Sequence, residues 1–214
     1  MNRDDMMKQG PSMEEEESAR RAGCRMVAGV DEAGRGPLAG PVVAAAVVLP
    51  EGYVPDGLND SKQLTERKRE KLFDALMQDD SVLKGVACAS VEEIDALNIL
   101  RATHLAMARA VAALPVPADF CLVDGLPVKG LPVPHRAIVK GDAKCLSIAA
   151  ASVLAKVFRD RLMAELDREF PVYGFARHKG YGTKVHLDAI HRYGITVHHR
   201  RSFGPVAQMA LPFV

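Results

Sequence analysis

The sequence lacks several features that would assign it to a common functional class. No apolar run approaches the roughly 18 residues that a membrane-spanning helix requires. The four cysteines are far apart and form no C-x-x-C pair, and the chain has no H-E-x-x-H motif, no paired Cys/His spacing and no Walker phosphate loop. These absences argue against a membrane protein, a zinc enzyme and a P-loop enzyme. They also predict reduced thiols and a cytoplasmic location.

The composition is that of a globular protein, with 48% hydrophobic and 26% charged residues. A length of 214 residues favours a single domain, which we assign to residues 25–214. Residues 1–24 contain four consecutive glutamates at 14–17 and few large apolar residues other than Met. This segment is too acidic for a signal peptide. We expect a disordered acidic tail, with a short helix at 18–22 as the alternative for its end.

The net charge of +1 hides an asymmetry between the two parts of the chain. Residues 1–124 carry 14 Lys and Arg against 21 Asp and Glu, whereas residues 125–214 carry 14 against 6. Five of the seven histidines lie in the last 37 residues. We expect most of the histidines to be surface residues or weak nucleic-acid contacts rather than metal ligands. A basic end suggests that the chain binds a polyanion such as nucleic acid. The alternative is ordinary solvated surface charge.

Hydrophobic periodicity predicts an alternation of strands and helices. Apolar and β-branched runs predict strands at 26–30, 42–49, 82–89, 120–123 and 137–139. Amphipathic or apolar stretches predict helices at 65–78, 91–114, 143–169 and 184–193, with Thr65 as an N-cap. This order indicates an α/β fold with an early antiparallel meander and later crossovers.

Acidic residues stand at the ends of three of these elements. Asp31 and Glu32 end the first strand, Asp124 ends the fourth strand, and Asp142 begins the second long helix. If the first and fourth strands are neighbours, their carboxylates lie at one rim and raise each other's pKa unless a cation is present. Oxygen ligands favour Mg²⁺ or Mn²⁺. The alternatives are an N-cap at Asp142, a turn at Asp124 and a solvated strand end at Asp31.

A glycine-rich loop follows the first pair of acids. Its spacing, G-x-G-x-x-x-G from Gly34 to Gly40, is one residue too long for a dinucleotide fingerprint. The two acids that precede the loop would also repel a pyrophosphate. Glycine nevertheless allows the backbone to approach a ligand closely, and Arg35 suits a phosphate.

Several segments closely resemble the signature motifs of the ribonuclease HII family, the bacterial type 2 ribonucleases H. They are VDEAGRGPLAGPV at 30–42, DSK at 60–62, LVDG at 122–125, GD at 141–142, SIAAAS at 147–152, AKV at 155–157, RD at 159–160, HKGYGT at 178–183 and RRSF at 200–203. The resemblance extends from about residue 26 to about residue 206.

The resemblance implies a ribonuclease H-like fold, with a mixed central sheet flanked by helices and a helical C-terminal part. It implies an endonuclease that hydrolyses the RNA strand of RNA–DNA hybrids and incises at ribonucleotides embedded in duplex DNA. The family's catalytic and metal-binding acids map onto Asp31, Glu32, Asp124 and Asp142, which would hold two Mn²⁺ or Mg²⁺ ions during catalysis. The expected ends are a 3′-hydroxyl and a 5′-phosphate. The alternatives are another nuclease of the superfamily and a non-catalytic nucleic-acid-binding protein.

The resemblance also implies a set of substrate contacts. The family's recognition loop maps onto Gly34, Arg35 and Gly36, and its junction-sensing tyrosine onto Tyr181. Backbone groups of the loop could read the 2′-hydroxyl, which distinguishes RNA from DNA. The candidates for phosphate contacts are Lys62, Lys156, Arg159, Lys179 and Arg201. The alternatives are a packing role for Tyr181 and ordinary solvation for the basic residues. We expect a monomer.

The end of the chain suggests a partner. Gln208, Leu211 and Phe213 resemble the Gln-x-x-Leu-x-Phe peptides that dock bacterial repair proteins on the sliding clamp. The competing hypothesis is that Met209, Leu211 and Phe213 pack back onto the domain as a closing strap. We favour this hypothesis because six-residue matches are common by chance.

Overall fold

A five-stranded mixed sheet forms the centre of the molecule in a computed structural model that describes residues 10–59, 61 and 64–209. The strands are β1 (Val27–Ala33), β2 (Val42–Val48), β3 (Leu83–Ala89), β4 (Phe120–Asp124) and β5 (His135–Ile138). Their order across the sheet is β3-β2-β1-β4-β5. The pairs β1–β2 and β2–β3 are antiparallel, whereas β1–β4 and β4–β5 are parallel. The predicted meander and later crossovers are confirmed.

Helices flank this sheet and continue beyond it at the C-terminal end. They are α1 (Glu14–Arg21), α2 (Glu66–Gln78), α3 (Val91–Leu97), α4 (Ile99–Ala112), α5 (Leu146–Glu169), α6 (Phe175–His178), α7 (Lys184–Tyr193) and α8 (Gly204–Met209). Short 3-10 turns occupy Gly141–Ala143 and Pro171–Tyr173. The α/β fold with a helical C-terminal part is therefore confirmed. Within the described ranges, no helix is both long and apolar enough to cross a membrane.

The core has two layers because β2 is covered on both faces. Every residue of β2 is buried. Val43, Ala45 and Val47 pack with α2 and α5 on one face, and the alternate residues of β2 pack with α4 on the other. This arrangement explains why the strand is continuously apolar rather than alternating, since both of its faces leave water.

The helix predicted at 91–114 is wrong as a single element. The chain forms α3 and α4 instead, separated by Asn98, which has a φ of 69°. The Asn98 side chain accepts hydrogen bonds from the backbone N–H groups of Leu100 and Arg101, at 3.0 and 3.2 Å. Asparagine tolerates a positive φ and is a good N-cap, so it both ends one helix and begins the next.

The disordered tail predicted for residues 1–24 is wrong for residues 10–24. This part contains α1, and Ser12 forms an isolated bridge with Cys145. Glu16, one of the four consecutive glutamates, is buried and accepts a hydrogen bond from the backbone N–H of Ser147 at 2.7 Å. The acidic run was therefore wrongly assigned to a disordered tail, since it forms part of α1 and one of its carboxylates caps a distant helix. Residues 1–9 lie outside the described part of the chain.

The two hypotheses for the end of the chain depend on residues that lie largely outside the described ranges. Helix α8 ends at Met209, and Gln208 is exposed. Leu211 and Phe213 fall beyond the described residues. The clamp peptide and the closing strap therefore both stay predictions.

Candidate active site

Three carboxylates meet where the parallel pairing of β1 and β4 ends. The last paired residues are Val30 and Val123, so Asp31 and Asp124 follow at the same rim, as predicted. Asp142 comes to this rim on the 3-10 turn after β5. One oxygen from each of Asp31, Asp124 and Asp142 lies within 4.8 Å of the other two. The N-cap position of α5 belongs to Cys145, so the N-cap alternative for Asp142 is wrong.

Electrostatic repulsion within this group is visible at Asp31. Its side chain is buried, and burial followed by the charges of Glu32 and Asp124 raises its pKa well above the usual range. A hydrogen bond from Ser152 and one from the Glu32 backbone N–H, at 2.7 Å, oppose this shift only in part. Close carboxylates that destabilise one another's charge, with oxygen donors only, suit a hard divalent cation such as Mg²⁺ or Mn²⁺.

The positions of the other two aspartates depend on a short contact between the segments that carry them. Asp124 Oδ1 accepts a hydrogen bond from the backbone N–H of Gly141 at 2.6 Å. A Cβ atom at residue 141 would lie 2.6 Å from Ile148 Cδ1 and 3.3 Å from Asp124 Oδ1. Glycine at this position therefore lets the 3-10 turn pack closely against the acid on β4 and the first turn of α5.

The fourth predicted acid, Glu32, has a different environment. Its Oε1 accepts a hydrogen bond from Arg35 Nη1 at 3.1 Å, and the glutamate is largely buried while the arginine is half exposed. The ion pair links the acidic group to the glycine-rich loop. Glu32 lines the same cleft as Asp31 and Asp124.

A cleft of about 310 Å³ brings most of the predicted site together. Among the predicted residues, its lining contains Asp31, Glu32, Gly34, Arg35, Gly36, Asp124, Lys156, Arg159 and Tyr181. Tyr181 is 48% exposed, and a Cβ atom at residue 36 would lie 3.4 Å from its Cε1. Lys156 pairs with Asp160 at 2.7 Å. Lys179 and Arg201 are not among the described residues that line this cleft, and Lys62 lies outside the described residues.

Arg159 holds the glycine-rich loop rather than facing solvent. It is almost completely buried. Its Nε, Nη1 and Nη2 donate hydrogen bonds to the carbonyl oxygens of Pro41, Lys179 and Ala39, at 3.0, 2.9 and 3.0 Å. These bonds fix the guanidinium between the loop and the segment that precedes Tyr181. Arg159 thus positions backbone in this structure, and its predicted contact with a phosphate stays a prediction.

Sequence reasoning missed a second buried arginine, Arg200. Its Nη2 donates to the carbonyl oxygens of Gly34 and Gly40 at 2.6 and 2.7 Å, and its Nη1 donates to that of Arg35 at 3.1 Å. The sequence contains two adjacent arginines, and we selected Arg201, which is exposed. Nothing in one sequence tells which of the pair turns inward. Burial lowers the pKa of Arg200 to about 9.

Two serines in the cleft were also missed as site residues. The hydroxyl groups of Ser61 and Ser152 are buried and hydrogen-bonded to each other at 2.8 Å. Ser152 also hydrogen-bonds the Asp31 carboxylate, which lowers the pKa of that acid. Ser61 lies in DSK and Ser152 in SIAAAS, two of the segments that resemble family motifs, and this resemblance could have identified both serines.

Three histidines do not have the surface position that we expected for most of them. His178, His186 and His199 are buried. The rings of His178 and His186 stack with their centroids 4.5 Å apart, and the Nε2 atoms of His186 and His199 lie 3.1 Å apart. This histidine cluster lies directly behind Tyr181, whose carbonyl oxygen is 2.9 Å from His186 Nδ1. Aromatic packing around Phe175 accounts for the burial.

Comparison with known proteins supports the pattern seen in the site. Residues 28–206 match the family model for ribonuclease HII. The chain belongs to the ribonuclease HII family. It is 58% identical over 205 residues to ribonuclease HII of Magnetococcus marinus, with 94% of this chain and 95% of that protein covered. The resemblance stated from the motifs is thereby confirmed, and the chain is a ribonuclease H endonuclease.

Solved structures agree with the fold as well. Ribonuclease H2 of Pyrococcus horikoshii superposes with a TM-score of 0.73 at 30% identity, covering 86% of this chain and 97% of that structure. Ribonuclease HII of Archaeoglobus fulgidus, solved in a complex with PCNA, superposes with a TM-score of 0.69 at 26% identity, covering 84% and 95%. The ribonuclease H-like fold with its mixed central sheet is confirmed.

Proposed function

We propose that this ribonuclease H is a divalent-metal-dependent enzyme that hydrolyses the RNA strand of RNA–DNA hybrids and incises at single ribonucleotides embedded in duplex DNA. The observation that carries this proposal is the group formed by Asp31, Asp124 and Asp142, whose oxygens lie within 4.8 Å of one another. The first two of these acids line the cleft whose wall is formed by the glycine-rich loop and Tyr181.

The acids would hold the metal. Asp31, Asp124 and Asp142 supply the donor set, and Glu32 lies beside them on β1. Two divalent ions held there would supply the positive charge that activates a water molecule and stabilises the leaving oxygen, and the expected ends are a 3′-hydroxyl and a 5′-phosphate. The chain's own contribution is to fix the carboxylates at the rim of a rigid sheet, so that little reorganisation is needed.

The glycine-rich loop and Tyr181 would recognise the ribonucleotide. The 2′-hydroxyl is both a donor and an acceptor, and backbone groups of Gly34, Arg35 and Gly36 can approach it without steric hindrance from a large side chain at the glycines. Support comes from the position of this loop in the cleft wall next to the exposed ring of Tyr181. That ring offers a stacking face and a hydroxyl group to the nucleotide.

Phosphate contacts would position the duplex without reading its sequence. Lys156 in the cleft and exposed Arg35 and Arg201 suit this role, and Lys62 and half-buried Lys179 remain candidates. Such contacts make duplex affinity strongly dependent on salt.

A cleavage assay on three matched duplexes tests the proposal. The substrates are an RNA–DNA hybrid, a DNA duplex with one ribonucleotide and the same duplex without it. We expect cleavage of the first two with Mg²⁺ or Mn²⁺, none of the third, and none with a chelator.

Asp124→Asn should abolish cleavage and leave hybrid binding intact or tighter, because it removes a charged ligand and repulsion towards phosphate. The control is Asp188→Asn, at an exposed position of α7. Asp124→Asn activity close to the wild-type value contradicts the proposal.

We also propose docking on a sliding clamp through Gln208, Leu211 and Phe213. The Archaeoglobus fulgidus relative was solved in a complex with PCNA. When the enzyme and the clamp are bound to the same DNA, the effective concentration of a tethered peptide at the clamp is high, and this strengthens weak binding. The closing strap remains the competing hypothesis.

A further inference from the structure

Helix α5, which begins shortly after Asp142, is capped by a part of the chain that is distant in sequence. Among the described residues, the N-cap residue of α5, Cys145, makes no side-chain capping hydrogen bond. The N–H of Leu146 donates instead to the carbonyl oxygen of Ser12 at 3.0 Å. The N–H of Ser147 donates to Glu16 Oε1 at 2.7 Å. Two donors at the start of α5 are thus satisfied by residues that lie more than 130 positions upstream.

Glu16 has the properties of a built cap. It is 1% exposed, and its Oε1 also accepts a hydrogen bond from the Cys145 thiol at 3.1 Å. Burial and the nearby Glu16 charge raise the pKa of Cys145, which therefore stays a thiol and a donor. A carboxylate at the N-terminus of a 24-residue helix is favoured by the helix dipole. The one buried glutamate of the acidic run thus has a specific partner at the start of α5.

The first turn of α5 contacts the segments that carry the acids. A Cβ atom at Gly29, two residues before Asp31, would collide with the backbone of Ser147 and Ile148. On the other side, Gly141 next to Asp142 packs against Ile148 Cδ1. Movement of this turn therefore shifts two of the three carboxylates relative to each other. Interiors are close-packed, so such a shift is transmitted rather than absorbed.

Residues 10–22, which we call the N-terminal strap, are anchored at further points. The N–H of Ser12 donates to the carbonyl oxygen of Lys144 at 2.9 Å, and Glu15 pairs with Arg136 on β5 at 2.8 Å. Ala19 is buried in a cluster with Ile138 and Ile148. The family match begins at residue 28, so the strap lies outside the matched domain.

We propose that Glu16 is a positioning residue for the metal site and acts through the first turn of α5. The inference rests on the proposed metal-dependent function. It extends the site to a segment that precedes the matched domain in the sequence. Outer groups that orient metal ligands commonly change metal affinity by about 10- to 100-fold when they are removed.

Titration of the protein with Mn²⁺, followed by calorimetry, tests the proposal without relying on activity. Glu16→Ala should weaken Mn²⁺ binding by about tenfold, whereas Glu14→Ala, an exposed acid in the same helix, should leave it unchanged. Glu16→Gln keeps the acceptor oxygen for Ser147 and should restore most of the affinity. Glu16→Asp shortens the side chain and should resemble Glu16→Ala. Hybrid binding measured with a chelator should be the same in every variant.

The Mn²⁺ titrations distinguish a failure of this inference from a failure of the proposed function. If the wild-type protein binds no Mn²⁺ at millimolar concentration, the proposed function fails. If the wild type binds and Glu16→Ala binds equally well, the inference is wrong, even where the variant melts at a lower temperature. If Glu16→Ala fails to fold, the Mn²⁺ affinities of Glu16→Asp and Glu16→Gln test the inference instead. Equal affinities of these two variants overturn the inference, and weaker binding by Glu16→Asp supports it.

Discussion

The Nε2 atoms of His186 and His199 lie 3.1 Å apart in a buried chain of hydrogen bonds that leads to Tyr181. The backbone N–H of Thr196 donates to His199 Nδ1 at 2.9 Å, so the proton of neutral His199 is on Nε2. His186 Nε2 accepts that proton's hydrogen bond, and its Nδ1–H donates to the Tyr181 carbonyl at 2.9 Å. Both rings must be neutral for the chain to form, because an added proton removes one of the acceptors.

This pair predicts a loss of stability in mild acid. Burial, and to a smaller extent neighbouring histidines, lowers the pKa of both His186 and His199 to about 4. Between the ordinary histidine pKa of about 6.5 and about 4, the unfolded chain binds more protons than the folded chain. The contribution is therefore complete above pH 6.5 and is lost as the pH falls towards 4.

Melting temperatures at pH 7.5, 6.5, 5.5 and 4.5 measure this effect. Other groups also titrate in this range, so the relevant quantity is the difference between variants. His186→Gln should lower the melting temperature at pH 7.5 and flatten the pH dependence, because one group with a depressed pKa is removed. His191→Gln, at an exposed position in the same helix, should follow the wild-type curve. Equal slopes for His186→Gln and the wild type would show that this prediction is wrong.

Substitutions of the adjacent residues Arg200 and Arg201 provide a matched test of how the glycine-rich loop is held, because only Arg200 is buried against the loop. Arg200→Ala leaves the carbonyl groups of Gly34, Arg35 and Gly40 without the Arg200 donor, and we expect destabilisation by about 3 kcal/mol from these unsatisfied acceptors. Arg200→Lys should rescue little, because an ammonium group cannot span these carbonyls as a planar fork does. Arg201→Ala should change stability by less than about 0.5 kcal/mol.

Binding assays over a range of salt concentrations complete this comparison. Arg201→Ala should weaken binding to every duplex alike and reduce the salt slope by about one, as expected for one phosphate contact. Arg200→Ala should instead reduce the preference for ribonucleotide-containing DNA, because it releases the recognition loop. If Arg200→Ala has the stability and the ribonucleotide preference of the wild type, Arg200 does not position the recognition loop.

Tyr181 offers a test of ribonucleotide recognition. Its ring is 48% exposed in the cleft, so Tyr181→Ala should change the free energy of unfolding by less than about 0.5 kcal/mol. We expect a larger loss in incision at a single embedded ribonucleotide than in duplex affinity. Tyr181→Phe separates the stacking face from the hydroxyl group. If Tyr181→Ala weakens binding to all duplexes equally and keeps the preference for ribonucleotides, the residue has no recognition role.

The acidic group was predictable because its signals are local. Strand β1 and strand β4 are short apolar runs that each lead directly to an acid, and a parallel crossover places Asp31 and Asp124 at one rim. The sequence did not show that these two strands are neighbours, and the prediction assumed it. The strand order of the sheet confirms that β1 and β4 are adjacent. Thr65 likewise signalled the start of α2, where its side chain accepts a hydrogen bond from the Lys68 backbone.

The errors arose where a residue's partner is far away in sequence. Glu16 and Ser147 are 131 residues apart, and Arg200 and Gly34 are 166 residues apart. Composition assigns an acidic run and a basic pair to the surface, and only the folded structure shows that one member turns inward. The break at Asn98 is different, because the apolar pattern continues through it. Its signal was a single side chain that tolerates a positive φ.

The end of the chain is tested by removing it. Deletion of residues 208–214 should abolish binding to a purified sliding clamp and leave the melting temperature unchanged, if the segment is a docking peptide. A closing strap predicts the reverse, a lower melting temperature and no effect on clamp binding. The double substitution Leu211→Ala and Phe213→Ala removes the apolar anchors and leaves α8 intact, which separates a docking defect from damage to the helix. If the full-length protein shows no binding to the clamp of its own organism at concentrations on the order of 10 μM, clamp docking is excluded as a functional interaction.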